Sequence, residues 1–186
     1  TYTHEGTADI QYDAWKSQIK ESMPEYVIGV LDMGIDESNP DLSPVLWTGD
    51  VYGPGGDSHG CFGNTSGTAG GTSTTELVSG HGTHVAGIIA ADWNGQGISG
   101  VASNAKLMSL RFESSFASVI SCLNYAKEAV KKGVNMIAVN NSWTMGSVST
   151  DLINLAVTEL GELGVVSVFA SGNDATSMDQ TLGTST

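Results

Sequence analysis

The clearest shortage in this 186-residue sequence is of basic side chains, with seven Lys and Arg against twenty Asp and Glu. The resulting net charge of −13 repels nucleic-acid phosphates and anionic lipid headgroups, so we expect neither nucleic acid nor a membrane as a partner. A soluble protein with this charge is suited to a cationic substrate or to bound Ca²⁺.

Cysteine, proline and long apolar runs are scarce as well. The two cysteines, Cys61 and Cys122, make no disulfide framework, and the sequence leaves open whether they pair or stay free thiols. No apolar run is long enough to span a bilayer, and the first residues lack the pattern of a secretory signal. Four prolines beside 24 glycines indicate tight turns rather than disorder. The length fits a single domain over 1–186.

Apolar runs alternate with helical patterns along the chain. The runs are rich in Val, Ile, Leu and Met, as is typical of strands buried on both faces, and lie at 26–32, 106–112, 134–142 and 164–173. Helical spacing is expected at 84–91, 118–132 and 149–163. This alternation predicts an α/β fold with a parallel sheet and helices on both faces. Residues 48–79 have no period and are expected to form a long surface loop.

Polar residues follow three of the predicted strands. Asp32 closes the first strand, Asn140 to Ser142 close the third, and Ser171 and Asn173 lie at the end of the fourth. Because ligands of parallel sheets bind outside the carboxyl ends of the strands, this edge is the candidate site. Taken alone, Asp32 is either a turn residue or a carboxylate that orients a histidine. Asn173 is either a turn residue or an amide donor to a developing oxyanion.

His81 is the most specific candidate because it lies between Gly80 and Gly82, where the backbone can approach a neighbour closely. It precedes a predicted helix, whose positive end favours the neutral imidazole that a general base needs. His84 follows three residues later, which leaves open a metal site formed with His59. The spacing of these histidines is a weak metal signal, since no Cys or Glu accompanies it.

Four segments resemble the motifs of the subtilisin-like serine peptidases: 27–42, 80–91, 140–143 and 169–173. The resemblance implies a three-layer subtilisin-like α/β fold and a serine endopeptidase with an Asp-His-Ser triad, acting on polypeptides in an extracytoplasmic, secreted setting. Asp32 would orient His81, His81 would act as the base, and Asn173 would stabilise the oxyanion. The expected substrate-binding residues are Ser142, Trp143, Thr144, Ala170, Ser171 and Gly172.

The resemblance also implies a structural calcium site, although no cofactor is needed for the chemistry. Asp41 lies in a matching segment, and Asn94 lies in a Gly-rich stretch, 92–98, at the position of a calcium loop. Carboxylate and amide oxygens are ligands that Ca²⁺ accepts. An ordinary Gly-rich turn is the alternative interpretation of this stretch.

The sequence departs from the family pattern at several points. Thr144 replaces a usual Gly, 112–119 is short and free of Gly, and the run at 134–142 is about two residues longer than usual.

Ser185 is part of a Gly-Thr-Ser turn only 12 residues after Asn173, without the strands expected between them. We therefore expect Ser185 to be a loop residue beyond hydrogen-bond reach of His81, with the nucleophile segment missing from this chain. Further candidate partners are then a propeptide or a separate C-terminal chain. The alternative function is that of an inactive, truncated or pseudo-peptidase that binds peptides.

Overall fold

The computed structural model describes residues 14, 18, 24–49, 51, 61, 80–102, 104–112, 115–144 and 151–173. Its centre is a four-stranded parallel sheet in the order β2-β1-β3-β4. The strands are β1 (Tyr26–Asp32), β2 (Ala105–Arg111), β3 (Met136–Asn141) and β4 (Val166–Phe169).

Three helices connect the strands and confirm the predicted α/β fold with helices on both faces. They are α1 (Gly80–Ala90), α2 (Phe116–Lys131) and α3 (Asp151–Glu162). Helix α1 packs on β1 and β2, whereas α2 and α3 pack against each other, with α2 on β1 to β3 and α3 on β4. A short 3-10 helix, Ser43–Val45, follows β1.

Strand β1 divides the interior into two cores because its side chains alternate between the sheet faces. Val27 and Leu31 join the core beneath α2 and α3, and Val30 joins the core beneath α1. All three are almost fully buried, as the continuous apolar run predicts for a central parallel strand.

The prediction of burial on both faces is wrong for the fourth strand. β4 is shorter than the predicted 164–173, and Val166, Val168 and Phe169 are exposed. The cause is position, because β4 is an edge strand of the described sheet. Helix α1 lies on the face of Val166 and Val168, but it packs on β1 and β2 at the other end of the sheet. An apolar run alone does not show whether a neighbour covers it.

The ends of the helices follow local capping chemistry. Helix α2 begins after Ser115, whose hydroxyl accepts from the backbone N–H of Ser118 at 3.2 Å, and it is followed by Gly133 with φ of 93°. Helix α1 begins at Gly80, four residues before the predicted start, so His81 lies inside its first turn rather than before it.

A disulfide joins Cys61 to Cys122 of α2 and so answers a question that the sequence left open. Most of the expected loop at 48–79 lies outside the described residues. Within the described ranges, no helix is long and apolar enough to cross a membrane.

Candidate active site

Asp32 is the last residue of β1 and is only 2% exposed. Its carboxylate accepts a hydrogen bond from the backbone N–H of Met33 at 2.8 Å. It also contacts Nδ1 of His81 at 2.9 Å and 3.1 Å through its two oxygens. A buried carboxylate without such donors would be strongly destabilising, so the burial and the pairing belong together.

His81 presents a half-exposed imidazole, with 53% of the side chain accessible. An ionised carboxylate can only accept, so with Asp32 ionised the proton between the two groups is carried by Nδ1 of His81. In the neutral imidazole the lone pair is then on the other ring nitrogen, Nε2. The pair therefore combines a fixed, buried orienting group with an accessible base.

The start of α1 is held tightly against the turn that follows β1. A Cβ at Gly82 would lie 2.3 Å from the carbonyl oxygen of Gly34 and 3.0 Å from Oδ1 of Asp32. One residue further, Oγ1 of Thr83 accepts from the backbone N–H of Asp36 at 2.9 Å. These two contacts fix the helix at the distance that the hydrogen bond of His81 requires. Thr83 was not among the predicted site residues. The role of its hydroxyl depends on the turn after β1 facing the start of α1, which the sequence does not show.

The alternative metal site receives no support from the described residues. They contain no group of three or more His, Cys, Asp and Glu side chains able to hold a metal ion. His84 lies on α1 and is exposed, and His59 lies outside the described residues. His81 is instead paired with Asp32.

The predicted substrate-binding residues 142–144 follow β3 directly. Oγ of Ser142 accepts from Nδ2 of Asn140 at 2.9 Å, which ties the segment to the strand. Thr144 is exposed at the position of the expected Gly. The segment therefore leaves the carboxyl end of β3 in an ordered conformation.

Trp143 packs between two aromatic rings, that of Phe112 just beyond β2 and that of Phe169 at the end of β4. Its ring centroid lies 5.7 Å from that of Phe112 and 6.0 Å from that of Phe169, both in edge-on geometry. Such pairs add stabilisation beyond the buried area. Neither partner was predicted, because Phe112 and Phe169 belong to runs that are adjacent neither in the sequence nor in the sheet.

The second predicted wall follows β4. The backbone N–H of Ala170 donates to the carbonyl oxygen of Asn141 at 3.1 Å, which continues the pairing of β3 and β4 by one residue. Ser171 is exposed, Gly172 has φ of 86°, and Asn173 is exposed. The positive φ of Gly172 places a turn immediately before Asn173.

The sheet order brings these segments to one edge. β1, β3 and β4 are adjacent and parallel, so their carboxyl ends carry Asp32, then Ser142, then Ala170. The arrangement can hold a base beside two stretches of backbone suited to an extended peptide.

Asp41 and Asn94 also meet, because Nδ2 of Asn94 donates to Oδ1 of Asp41 at 3.2 Å. Ser185 lies outside the described residues, so the expectation about its distance from His81 stays a prediction.

The profile of the Subtilase family matches residues 24–185. Subtilisin DY of Bacillus licheniformis is 30% identical over 162 residues, covering 82% of this chain and 49% of the relative. The major intracellular serine protease of Bacillus subtilis is 29% identical over 160 residues, covering 83% of this chain and 44% of the relative. The chain thus spans about half the length of these relatives.

Solved structures show the same fold. A variant of the epidermin leader peptide processing serine protease from Staphylococcus aureus superposes with a TM-score of 0.62 at 21% identity. The match covers 98% of this chain and 48% of that structure. With the family profile matched over most of its length, the chain belongs to the subtilase family.

Proposed function

We propose that this chain supplies the aspartate, the histidine and the oxyanion asparagine of a serine endopeptidase that hydrolyses polypeptides. The observation that carries the proposal is the hydrogen bond between buried Asp32 and half-exposed His81. A histidine that only stabilised the core would be buried with both nitrogens satisfied, whereas this one keeps a ring edge accessible.

In this proposal Nε2 of His81 removes the proton from a serine hydroxyl as the hydroxyl attacks the scissile carbonyl. The imidazolium that forms is stabilised by the carboxylate of Asp32, which also accepts a hydrogen bond from the backbone N–H of Met33. His81 then returns the proton to the leaving amine, and a water repeats the sequence to release the acyl product.

Asn173 would donate its side-chain amide to the oxyanion, in keeping with its exposed position just beyond β4. The substrate would extend between residues 142–144 and 170–172, with main-chain groups on both sides. Exposed Thr144 adds a side chain where the family usually has none, so a narrower pocket for the residue before the scissile bond is expected.

We propose that the remaining member of the triad is a serine outside the described residues. Within them, the hydrogen-bond partner of His81 is Asp32, and no serine hydroxyl is bonded to its ring. We propose that the nucleophile belongs to a segment other than Ser185, which the sequence places too soon after Asn173. A propeptide is a further proposed partner, as the resemblance to the subtilisin-like serine peptidases implies.

An extracytoplasmic location is part of the proposal. Its support is the disulfide between Cys61 and Cys122, because disulfides persist in oxidising compartments and are rare in the cytosol.

A fluorophosphonate probe tests the proposal on the intact natural protein. We expect labelling of one serine and cleavage of a peptide substrate, with both reduced by at least about 10³-fold in His81→Ala. Peptide mapping of the labelled residue shows whether the nucleophile is Ser185.

His84→Ala is the matched control, since His84 is exposed on the same helix. It should leave labelling and cleavage unchanged. Peptide binding without labelling or turnover in the wild type would replace the proposal with the alternative of an inactive binding protein.

A further inference from the structure

Asp41 is enclosed by hydrogen-bond donors of the segment 92–98, which we call the 92–98 loop. The backbone N–H of Ile98 donates to Oδ2 of Asp41 at 3.3 Å, and Nδ2 of Asn94 donates to Oδ1 at 3.2 Å. The backbone N–H of Gln96 donates to Oδ1 of Asn94 at 2.8 Å, which fixes the amide with its NH₂ toward Asp41. Both oxygens of the carboxylate are thus bonded to the loop.

The loop backbone is shaped around this carboxylate. Gly97 has φ of 56°, and a Cβ built on it would lie 1.9 Å from Oδ2 of Asp41. The backbone N–H of Asp92 donates to the carbonyl oxygen of Asp41 at 2.9 Å, which ties the start of the loop to the same residue. No other side chain than that of Gly fits where the loop passes the carboxylate.

The residues that follow the 92–98 loop pair with the last turn of the helix that carries His81. The backbone N–H groups of Val101 and Ala102 donate to the carbonyl oxygens of Ile88 and Ile89 at 3.1 Å and 2.7 Å. These carbonyls belong to the end of α1, where the helix itself provides no partners. By holding the 92–98 loop, Asp41 therefore also positions the residues that complete the C-terminal end of α1.

The oxygen atoms of Asp41 and of the 92–98 loop side chains are not arranged as ligands of a cation in this conformation. Ca²⁺ requires six to eight oxygen ligands, whereas the side-chain oxygens of Asp41 and Asn94 each face an N–H group. A concave loop lined with N–H donors attracts an anion, and the carboxylate of Asp41 already fills it. The described residues include no further cluster of acidic or histidine ligands.

We propose that Asp41 acts as an internal anionic latch, which holds the 92–98 loop closed in the place where the resemblance implied a calcium ion. The stability of the fold is then independent of Ca²⁺ at this loop. The calcium site that the resemblance implied is the competing hypothesis in the test.

Thermal unfolding distinguishes the latch from a calcium site. The purified protein is dialysed against EDTA, and its Tm is measured with and without added CaCl₂. We expect Tm to change by less than about 1 °C. A calcium ion present at one hundred times its Kd would raise Tm by roughly 5 to 11 °C. A calcium-induced rise of that size that disappears in Asp41→Ala would overturn the proposal.

The latch itself is tested by Asp41→Ala in EDTA, which removes two long, solvent-exposed hydrogen bonds to the carboxylate. We expect Tm to fall by roughly 3 to 8 °C and the amide hydrogen of Ile98 to exchange at least tenfold faster. Asp92→Asn is the matched control, because it removes one charge from the same loop but keeps the backbone N–H that donates to Asp41. An Asp41→Ala protein as stable as this control would also overturn the proposal.

If Asp41→Ala does not fold, Asn94→Ala removes one donor only and should lower Tm by roughly 1 to 3 °C, again without any response to CaCl₂. A response of this variant to CaCl₂ would contradict the latch.

Discussion

At the scale of single residues, Gly82 sets the separation between α1 and the end of β1. The space that a Cβ would need is filled by the carbonyl oxygen of Gly34 and by Oδ1 of Asp32. The neighbouring Gly80 differs, since nothing lies within 4 Å of a Cβ there. The two glycines that flank His81 therefore have different roles.

Gly82→Ala should push the start of α1 away from Asp32 and lengthen the hydrogen bond to His81. We expect a fall in Tm of roughly 3 to 10 °C, as for overpacking in a closed space, together with a fall in kcat/KM. Differential scanning calorimetry and a peptide assay measure the two effects. Gly80→Ala is the control and should have little effect, and a Gly82→Ala protein that matches it would show that the helix can shift freely.

The sequence predicted that the glycines beside His81 allow a close approach, and the structure confirms this for Gly82 alone. The pattern could not separate the two, because the atoms that approach belong to residues far away in the chain, at Asp32 and Gly34. The pairing of Asp32 with His81 was predictable from the motifs. The contact of Thr83 with Asp36 was not, since it depends on how the turn after β1 is oriented.

At the scale of elements, the disulfide connects the segment between β1 and α1 to helix α2. Cys122 is fully buried in the core beneath α2 and α3, and Cys61 is partly buried against that core. The sequence could not predict this bond, because two cysteines 61 residues apart carry no pairing signal until α2 is placed on the sheet.

Replacing both cysteines by Ala should destabilise the fold by releasing the constraint on the unfolded chain. For a closed loop of 61 residues the loss is about 4 kcal/mol, which corresponds to a fall in Tm of roughly 8 to 16 °C. Thermal unfolding with and without dithiothreitol measures it. The reductant should lower the Tm of the wild type but leave Cys61→Ala/Cys122→Ala unchanged, and an unaffected wild type would mean that the bond adds no stability.

At the scale of the whole molecule, the two faces of the sheet are covered unequally. Val166 and Val168 share a face with Val30, which α1 covers, but they lie two strands away from it and are exposed. A right-handed crossover from β4 to a further parallel strand beside it would place its helix on the opposite face, with α2 and α3. The helix of such a crossover would therefore not cover the two valines, and an element with a different connection to the sheet would be needed to cover them.

The net charge of −13 should act on substrates through the field of the whole surface. If the proposed function holds, a peptide flanked by Lys should be cleaved with a kcat/KM roughly tenfold above that of a peptide with the same scissile residues flanked by Glu, in about 0.01 M salt. In about 1 M salt, where the Debye length falls to about 3 Å, the ratio should approach one.

A neutral peptide serves as the control and should respond little to salt. A preference for Lys that persists in 1 M salt would instead indicate a direct contact with an acidic side chain in the cleft, and no preference at low salt would show that the field does not steer substrates.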